Sequence, residues 1–322
     1  MNLKFSHLCI LMNNNIFKYI LTLGIVVFLL FPISTIAQDM SWWNNKHNWD
    51  GVTPWFRMMT TSAAYMGPNA LPIPEILEGK PNAFYEMEIR PEAHLSKGDQ
   101  TYNLYTSIKV PLGNRASFEA FLVPIEYYKM DTITRDERLA RNYDAKGIAG
   151  GDFWFGTNVQ VFNEYNNIPN VQMSFYFKTA SGTMLSDARY TDAPAYYILV
   201  NAGKNISSFG GAEGNEKYKL RLFGSLGTYI WQTHSDIHNQ DDAWVYGLGL
   251  SLQEGVKFAR IALAGYQGYL NNGDRPSVIR MQFGTRRIKE VENKHLFWSF
   301  RYEIGINDFK YHTLGIGLTY SL

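Results

Sequence analysis

The alternation in the last thirteen residues, Lys310 to Leu322, restricts what this chain can fold into more than any other feature. Leu314, Ile316, Leu318, Tyr320 and Leu322 take every second position, and Thr313, Gly315, Gly317, Thr319 and Ser321 fill the gaps. Successive side chains of a strand point to opposite faces, so one face here is greasy and the other small and polar. A water-soluble protein rarely finishes on so apolar a strand. The closing strand of a transmembrane barrel does so naturally, with lipid outside and a polar lumen inside.

The same period of two recurs along most of the chain. Tyr85, Met87, Ile89, Pro91, Ala93 and Leu95 share a face opposite Glu86, Glu88, Arg90, Glu92 and His94, and that second face is too charged for a soluble core. Strands are predicted over residues 84–95, 102–110, 116–128, 151–162, 171–178, 195–202, 217–230, 243–252, 256–270, 278–287, 295–307 and 310–322. The third blurs between Phe121 and Pro124. The count of about twelve is even, as in bacterial single-chain barrels. If both barrel termini lie in the periplasm, 111–114, 163–169, 253–255 and 289–293 are the expected short turns, while 203–216 is too long for one. The polar stretches 130–146 and 232–242 then fall outside. A soluble sandwich also alternates, but strands of roughly 10–13 residues suit a tilted bilayer crossing and are about twice the soluble average.

Residues 1–37 read as a signal peptide. Lys4 and Lys18 are its only charges, residues 20–31 are apolar, and Thr35-Ile-Ala37 places small residues where a signal peptidase reads, so cleavage is expected before Gln38. Without this segment 28 basic residues face 29 acidic ones, and the balance gives no support for nucleic acid. The one cysteine, Cys9, lies within it, so the mature chain has no disulfide, thiol chemistry or Cys-based metal site. The 20 Phe, 21 Tyr and eight Trp suit the aromatic girdles of a barrel. Residues 38–80 show no sustained period, and Pro72 and Pro74 forbid a regular helix or central strand there. The fold expected is all-β: an antiparallel up-and-down transmembrane barrel over 81–322, preceded by an irregular extension over 38–80.

The cleavage region Ser34-Thr-Ile-Ala-Gln38, aromatic pairs such as Phe297-Trp298 and the Leu314–Leu322 end together resemble an outer-membrane β-barrel of the Bacteroidota type. The likeness covers 83–322 and concerns architecture; no specific functional family is implied. The last strand is similar to the C-terminal signal read by barrel-insertion machinery, although it ends in Leu322 where Phe is commonest. The resemblance implies a Gram-negative outer membrane, with its lipid and lipopolysaccharide as surroundings and that machinery as a partner during biogenesis.

Function is expected on the inward face, because the lipid face is constrained to be apolar. Glu86, Glu88 and Glu92 form an acidic wall; Lys219, Arg221, Arg280 and Arg301 form a basic one. The first and seventh of twelve strands lie opposite each other, so a transverse field across a narrow channel would select small polar solutes. The blander reading is a sealing salt-bridge network, with Arg280, Arg286, Arg301 and Glu303 paired to the first-strand acids. Inward glycines (Gly247, Gly249, Gly284, Gly305, Gly315, Gly317) leave room for the extension, with Trp42, Trp43, Trp49 and Trp55 as the bulk of a plug; equally, they would relieve strain in a tightly coiled barrel. A porin-like channel without cofactor is the leading expectation. A non-conducting scaffold or subunit is the alternative, and a lipid hydrolase using Ser235 with His234 or His238 is third. His234, Asp236 and His238, with Asp241 and Asp242, are weak metal candidates of no established spacing. His94 and His295 fit hydrogen-bonded wall residues. There is no Walker loop, dinucleotide fingerprint or HExxH, and no enzymatic activity is expected.

Overall fold

A computed structural model describes residues 39–210, 217–288 and 294–322. The expected signal peptide and its cleavage position, Cys9, residues 211–216 of the expected 203–216 connection and the expected 289–293 turn lie outside the described residues. The chain divides into two compact units, Met1–Trp42 and Trp43–Leu322. Trp42 falls in the first, and the barrel is the second.

The described residues form thirteen strands: β1 (Glu86–Ser96), β2 (Asp99–Pro111), β3 (Ala116–Met130), β4 (Lys146–Ala149), β5 (Trp154–Phe162), β6 (Asn170–Lys178), β7 (Ala195–Phe209), β8 (Tyr218–Gln232), β9 (Gln240–Glu254), β10 (Lys257–Gln267), β11 (Ser277–Thr285), β12 (Leu296–Asn307) and β13 (His312–Ser321). Twelve make a closed antiparallel ring, and the short β4 extends only the end of β3. β13 closes the ring on β1, from Glu86↔Ser321 to Leu95↔His312. Closure satisfies every ladder without a free edge, which is what allows strands to cross hydrocarbon.

The period of two has the expected consequence. Trp244 is 71% exposed, Ile316 63% and Trp298 49%, while the residues beside them in sequence, Val245, Gly317 and Ser299, are buried inside. Exposed Ile89, Ile108, Phe155, Phe177, Ile198, Leu248, Phe283 and Leu318 continue this apolar band around the ring. A band of that extent has no place in water. Long connections, 131–153 and 179–194, gather at one end of the barrel, here called the loop end. The opposite turn end holds the start of β1 and the end of β13.

Two departures from the sequence expectation have local causes. β3 carries a bulge: Leu104 faces Ile125 but Thr106 faces Leu122, so residues 123 and 124 together oppose Tyr105 and one of them is extra. The inward parity therefore switches from Ser117 and Phe121 to Glu126 and Tyr128, which is why the alternation blurs around Pro124. β7 runs on to Phe209 through a bulge at Asn205/Ser207 rather than stopping near Ala202. Residues 203–209 of the apparent 203–216 loop are thus strand, and the backbone of Lys217 donates to the Gly210 carbonyl (2.7 Å).

Nor is the polar 130–146 stretch a free outer loop. It contains a short helix, Thr132–Glu137, N-capped by Asp131, and its Arg138 is buried. Three loops converge on the carboxylate of Asp99: Arg138 donates at 2.6 Å, Arg189 at 2.8 Å and Tyr311 Oη at 2.6 Å. Arg189 also bonds Glu126 (2.8 Å) and Thr101 (2.7 Å), so the 179–194 loop folds inward over β2 and β3.

Candidate functional site

The lumen holds the chain's own N-terminal segment. From the loop end downward, the Trp231 indole donates to the Thr61 carbonyl (3.1 Å), Ser62 Oγ to the Asn272 carbonyl (2.9 Å), and the Ala64 N–H to the Gly273 carbonyl (3.0 Å). Midway, Tyr266 Oη donates to the Leu71 carbonyl (3.1 Å), and Arg280 reaches the Ile73 and Pro74 carbonyls (3.3 Å each). Lower, Arg260 takes the Ile76 carbonyl (2.6 Å), Arg221 that of Glu78 (2.8 Å) and Gln160 that of Gly79 (2.9 Å). The segment then leaves through Asn82, whose N–H meets Ser117 Oγ (3.2 Å), and enters β1.

The chemistry follows from the prolines. A stretch carrying Pro72 and Pro74 is poor in donors and forms no sheet or helix of its own, so its carbonyls must be satisfied from outside. Arginines and a tyrosine of the wall do this. The side chains match as well: Glu75 bonds Arg301 (2.5 Å) and pairs with Arg280 (3.4 Å), and Glu78 pairs with Arg286 (3.2 Å). Burial alone would raise the pKa of Glu75, but Arg280 and Arg301 override it and hold this carboxyl well below the usual carboxylate range. Glu78 is lowered in the same way, chiefly by Arg286 and Arg260 against its own burial.

Two adjoining spaces remain beside the segment. One of about 760 Å³ opens at the turn end among Lys80, Lys109, Glu119, Lys219, Arg221 and Arg286. A second, about 200 Å³, lies midway among Glu92, His94, Tyr105, Tyr176, Arg280 and Arg301. They share Leu77, Glu88, Lys109, Glu119, Arg260 and Gln282, so they meet. Above them the lumen is filled. Trp154, Tyr197, Tyr229, Trp231 and Tyr266 pack with Leu71, Ile73 and Ile76 of the segment in one buried apolar cluster.

All the residues of the expected acidic and basic walls face the lumen, yet they do not oppose each other as bare charges. Arg90, between the acids on the same strand, bonds both Glu88 (2.8 Å) and Glu92 (2.7 Å). Glu86 lies near Lys109 (4.0 Å). Arg221 meets Glu164 (2.9 Å), and Arg280 and Arg301 meet Glu303 (2.5 and 3.1 Å) besides Glu75. Arg280, Arg286 and Arg301 therefore find partners on β12 and the segment, not on β1. Lys219 lines the larger cavity.

Trp43, Trp49 and Trp55, which belong to the barrel's unit, stand apart from the lumen's middle. Trp43 is buried and donates to the Leu139 carbonyl (3.0 Å), Trp55 packs under Arg141, and Trp49 bonds Thr53 nearby. It is the stretch from Thr61 to Asn82 that occupies the lumen. Among the inward glycines, Gly247 admits the segment, since any Cβ there would collide with Ile76; Gly249 instead receives Phe223 of the wall.

In the 233–239 loop, His234 Nε2 donates to the Thr191 carbonyl (2.7 Å), Asp236 pairs with Arg57 (3.0 Å), and His238 lies edge-on to Tyr269. Ser235 Oγ accepts from the backbone N–H groups of Ile237 and His238. These contacts hold the loop and leave Ser235 without a histidine base in contact. Among the described residues no group of three or more His, Cys, Asp or Glu is arranged to hold a metal ion. His94 bonds Thr313 and Asn103 across the wall, and His295 bonds the Ser321 carbonyl. Sequence reasoning did not single out Arg189, Arg260, Glu75 or Glu78; a Glu-containing proline stretch ahead of an arginine-lined barrel was the available signal.

Fold and site together define the class: a closed antiparallel barrel of the outer-membrane type, with its own N-terminal segment in the lumen. The chain is similar in structure to an outer membrane channel from Pseudomonas putida F1, with a TM-score of 0.51 at 9% identity over 77% of this chain and 99% of that one. A KdgM porin aligns over 73% of this chain and 99% of its own length, with a TM-score of 0.41 at 10% identity. Neither a family model nor a curated protein matches the chain. At these identities the likeness is one of fold.

Proposed function

We propose that the protein is a small-solute channel of a Gram-negative outer membrane, held closed by residues 61–83 in the conformation described above. One observation carries this reading. The segment is attached mainly through wall side chains donating to its carbonyls, and the space beside it is already solvent-sized, about 760 and 200 Å³. Detaching a single chain from such contacts opens a path without unfolding a strand. The polar, charged lining of both spaces suits small polar solutes rather than apolar ones. The barrel's apolar band meets outer-membrane lipid and lipopolysaccharide, and residues 1–37 are removed as a signal peptide.

The test is a reversible lock. The mature chain contains no cysteine, so Ile76→Cys with Gly247→Cys, where segment and wall touch, places one disulfide between them. Planar-bilayer recordings are expected to show unitary steps in the reduced protein and none after oxidation. The buried aromatic cluster at the loop end favours the other reading, a non-conducting scaffold. Flat traces in the reduced lock, and also in a Glu75→Gln, Glu78→Gln variant with a loosened segment, would establish that reading instead.

A further inference from the structure

Two carboxylates at the loop end have been left without a role. Asp241, the second residue of β9, and Asp274, in the loop between β10 and β11, are both fully buried. Each has one oxygen accounted for: Asp241 Oδ1 accepts from the Tyr269 N–H (3.3 Å) and Asp274 Oδ2 from the Asn271 N–H (3.0 Å). Their second oxygens, Asp241 Oδ2 and Asp274 Oδ1, are buried with no hydrogen-bond partner, and the two carboxyls flank the same backbone: Asp241 Oδ1 takes the Tyr269 N–H, and a Cβ on the adjacent Gly268 would collide with Asp274 Oδ2. Asn272 Oδ1 and Thr61 Oγ1 are buried oxygens in the same condition, one in the same loop and one on the segment it holds. Among the described residues the cation in contact with either acid is Arg275, 3.9 Å from Asp274 Oδ1 and 40% exposed in its side chain. One distant guanidinium cannot neutralise two buried carboxylates.

We infer that Asp241 and Asp274 bind a divalent cation of the calcium type, with Asn272 as a third oxygen donor. Two carboxylate oxygens and one amide oxygen, all acceptors without a partner, fit a hard cation, and the Thr61 hydroxyl is a further oxygen that can accept as well as donate. The mixture of carboxylate, amide and hydroxyl oxygens on an irregular loop suits calcium, which tolerates variable geometry, better than magnesium, which demands a near-ideal octahedron. The loop that supplies Asn272 and Asp274 is also the one whose Asn272 and Gly273 carbonyls hold Ser62 and Ala64. Across the β8–β9 pairing, Asp241 faces Trp231, the residue that holds Thr61. A cation between the two acids therefore fastens both anchors of the lumenal segment's upper end. The site stands on its own geometry; its effect on opening rests on the channel reading above.

Full-length mature protein in detergent is titrated with calcium chloride after chelator treatment, by calorimetry and by thermal unfolding. One equivalent is expected to bind and raise the melting temperature, with affinity at least tenfold weaker in Asp241→Asn, in Asp274→Asn and, less severely, in Asn272→Ala. Asp242→Asn, an exposed neighbour on the same strand, serves as control and is expected to bind like the wild type. Equal calcium response in wild type and both Asp variants would overturn the site. So would a melting temperature that ignores calcium and follows pH alone, because a proton shared by the two acids would then account for them. If binding is confirmed but calcium leaves conductance unchanged, the site holds and the channel reading loses this support.

Discussion

Toward the loop end the lumen is packed like the interior of a soluble protein, whereas toward the turn end it is wet and charged. Phe121 stacks on Trp154 (5.6 Å between ring centroids, 8° between planes), and the aromatic series continues through Tyr197, Tyr229, Trp231 and Tyr266. Such rings contribute burial and edge or offset contacts at once. At the other end the wall presents Lys219, Arg221, Arg286, Lys109 and Glu119 to open space. One segment passes through both halves, held above by apolar packing and backbone bonds and below by guanidinium–carbonyl and ion pairs. The difference separates what packs the barrel from what lines its open space.

The largest expected effect tests the packed half. Arg189 is fully buried and bonded to Asp99, Glu126 and Thr101, so Arg189→Ala strands two buried acids of which only Asp99 keeps another guanidinium, that of Arg138. A cost of roughly 3–5 kcal/mol is expected, as for breaking a buried ion pair from one side. Urea unfolding of the lipid-reconstituted protein measures it. A loss below about 1 kcal/mol would mean that the loop end is not a core in the energetic sense, and the contrast between the halves would fail.

Much of this fold was legible because a barrel writes its two environments into alternate positions. The outward Trp244, Trp298 and Ile316, and the inward Glu88, Arg221 and Arg301, are all assigned by period alone. The pattern fails where parity changes, as at the β3 bulge, where two residues oppose one and the phase flips. It fails also where a strand is polar on both faces, as in the second half of β7 with Asn205, Ser207 and Ser208. The lumen was less legible for a different reason. Inward charges announce themselves, but their partners come from distant sequence: Glu75 precedes Arg301 by 226 residues. Period places a residue on a face and says nothing about which neighbour neutralises it. For the same reason, no local pattern shows that the proline stretch, and not the tryptophans, fills the barrel.

Acid should loosen the lower half's ion pairs to the segment. Glu75 and Glu78 belong to the lumenal segment, and both have carboxyl pKa values depressed by neighbouring arginines despite burial. A carboxylate depressed in the folded state contributes stability that is present above its unfolded value, roughly 4.3, and lost as pH falls through the folded one. The segment's attachment should therefore weaken only below about pH 4. Glu75→Gln with Glu78→Gln should remove that part of the pH dependence and cost roughly 1–3 kcal/mol at neutral pH. Thermal unfolding between pH 2 and 7 measures both. Identical acid profiles in variant and wild type would show that these pairs do not hold the segment.

The smallest effect on stability belongs to Lys219, and it sharpens the comparison most. Its side chain lines the larger cavity, and no described carboxylate pairs with it, so Lys219→Glu disturbs no buried partner. Stability should change by no more than about 0.5 kcal/mol. Charge reversal at the mouth of a narrow polar space nevertheless changes the local potential felt by every ion that enters. In planar bilayers under a salt gradient, the reversal potential of the proposed channel should move toward cation preference relative to the wild type. If the variant instead unfolds more readily and keeps its selectivity, Lys219 belongs to the scaffold, and the turn end is as structural as the aromatic half above it.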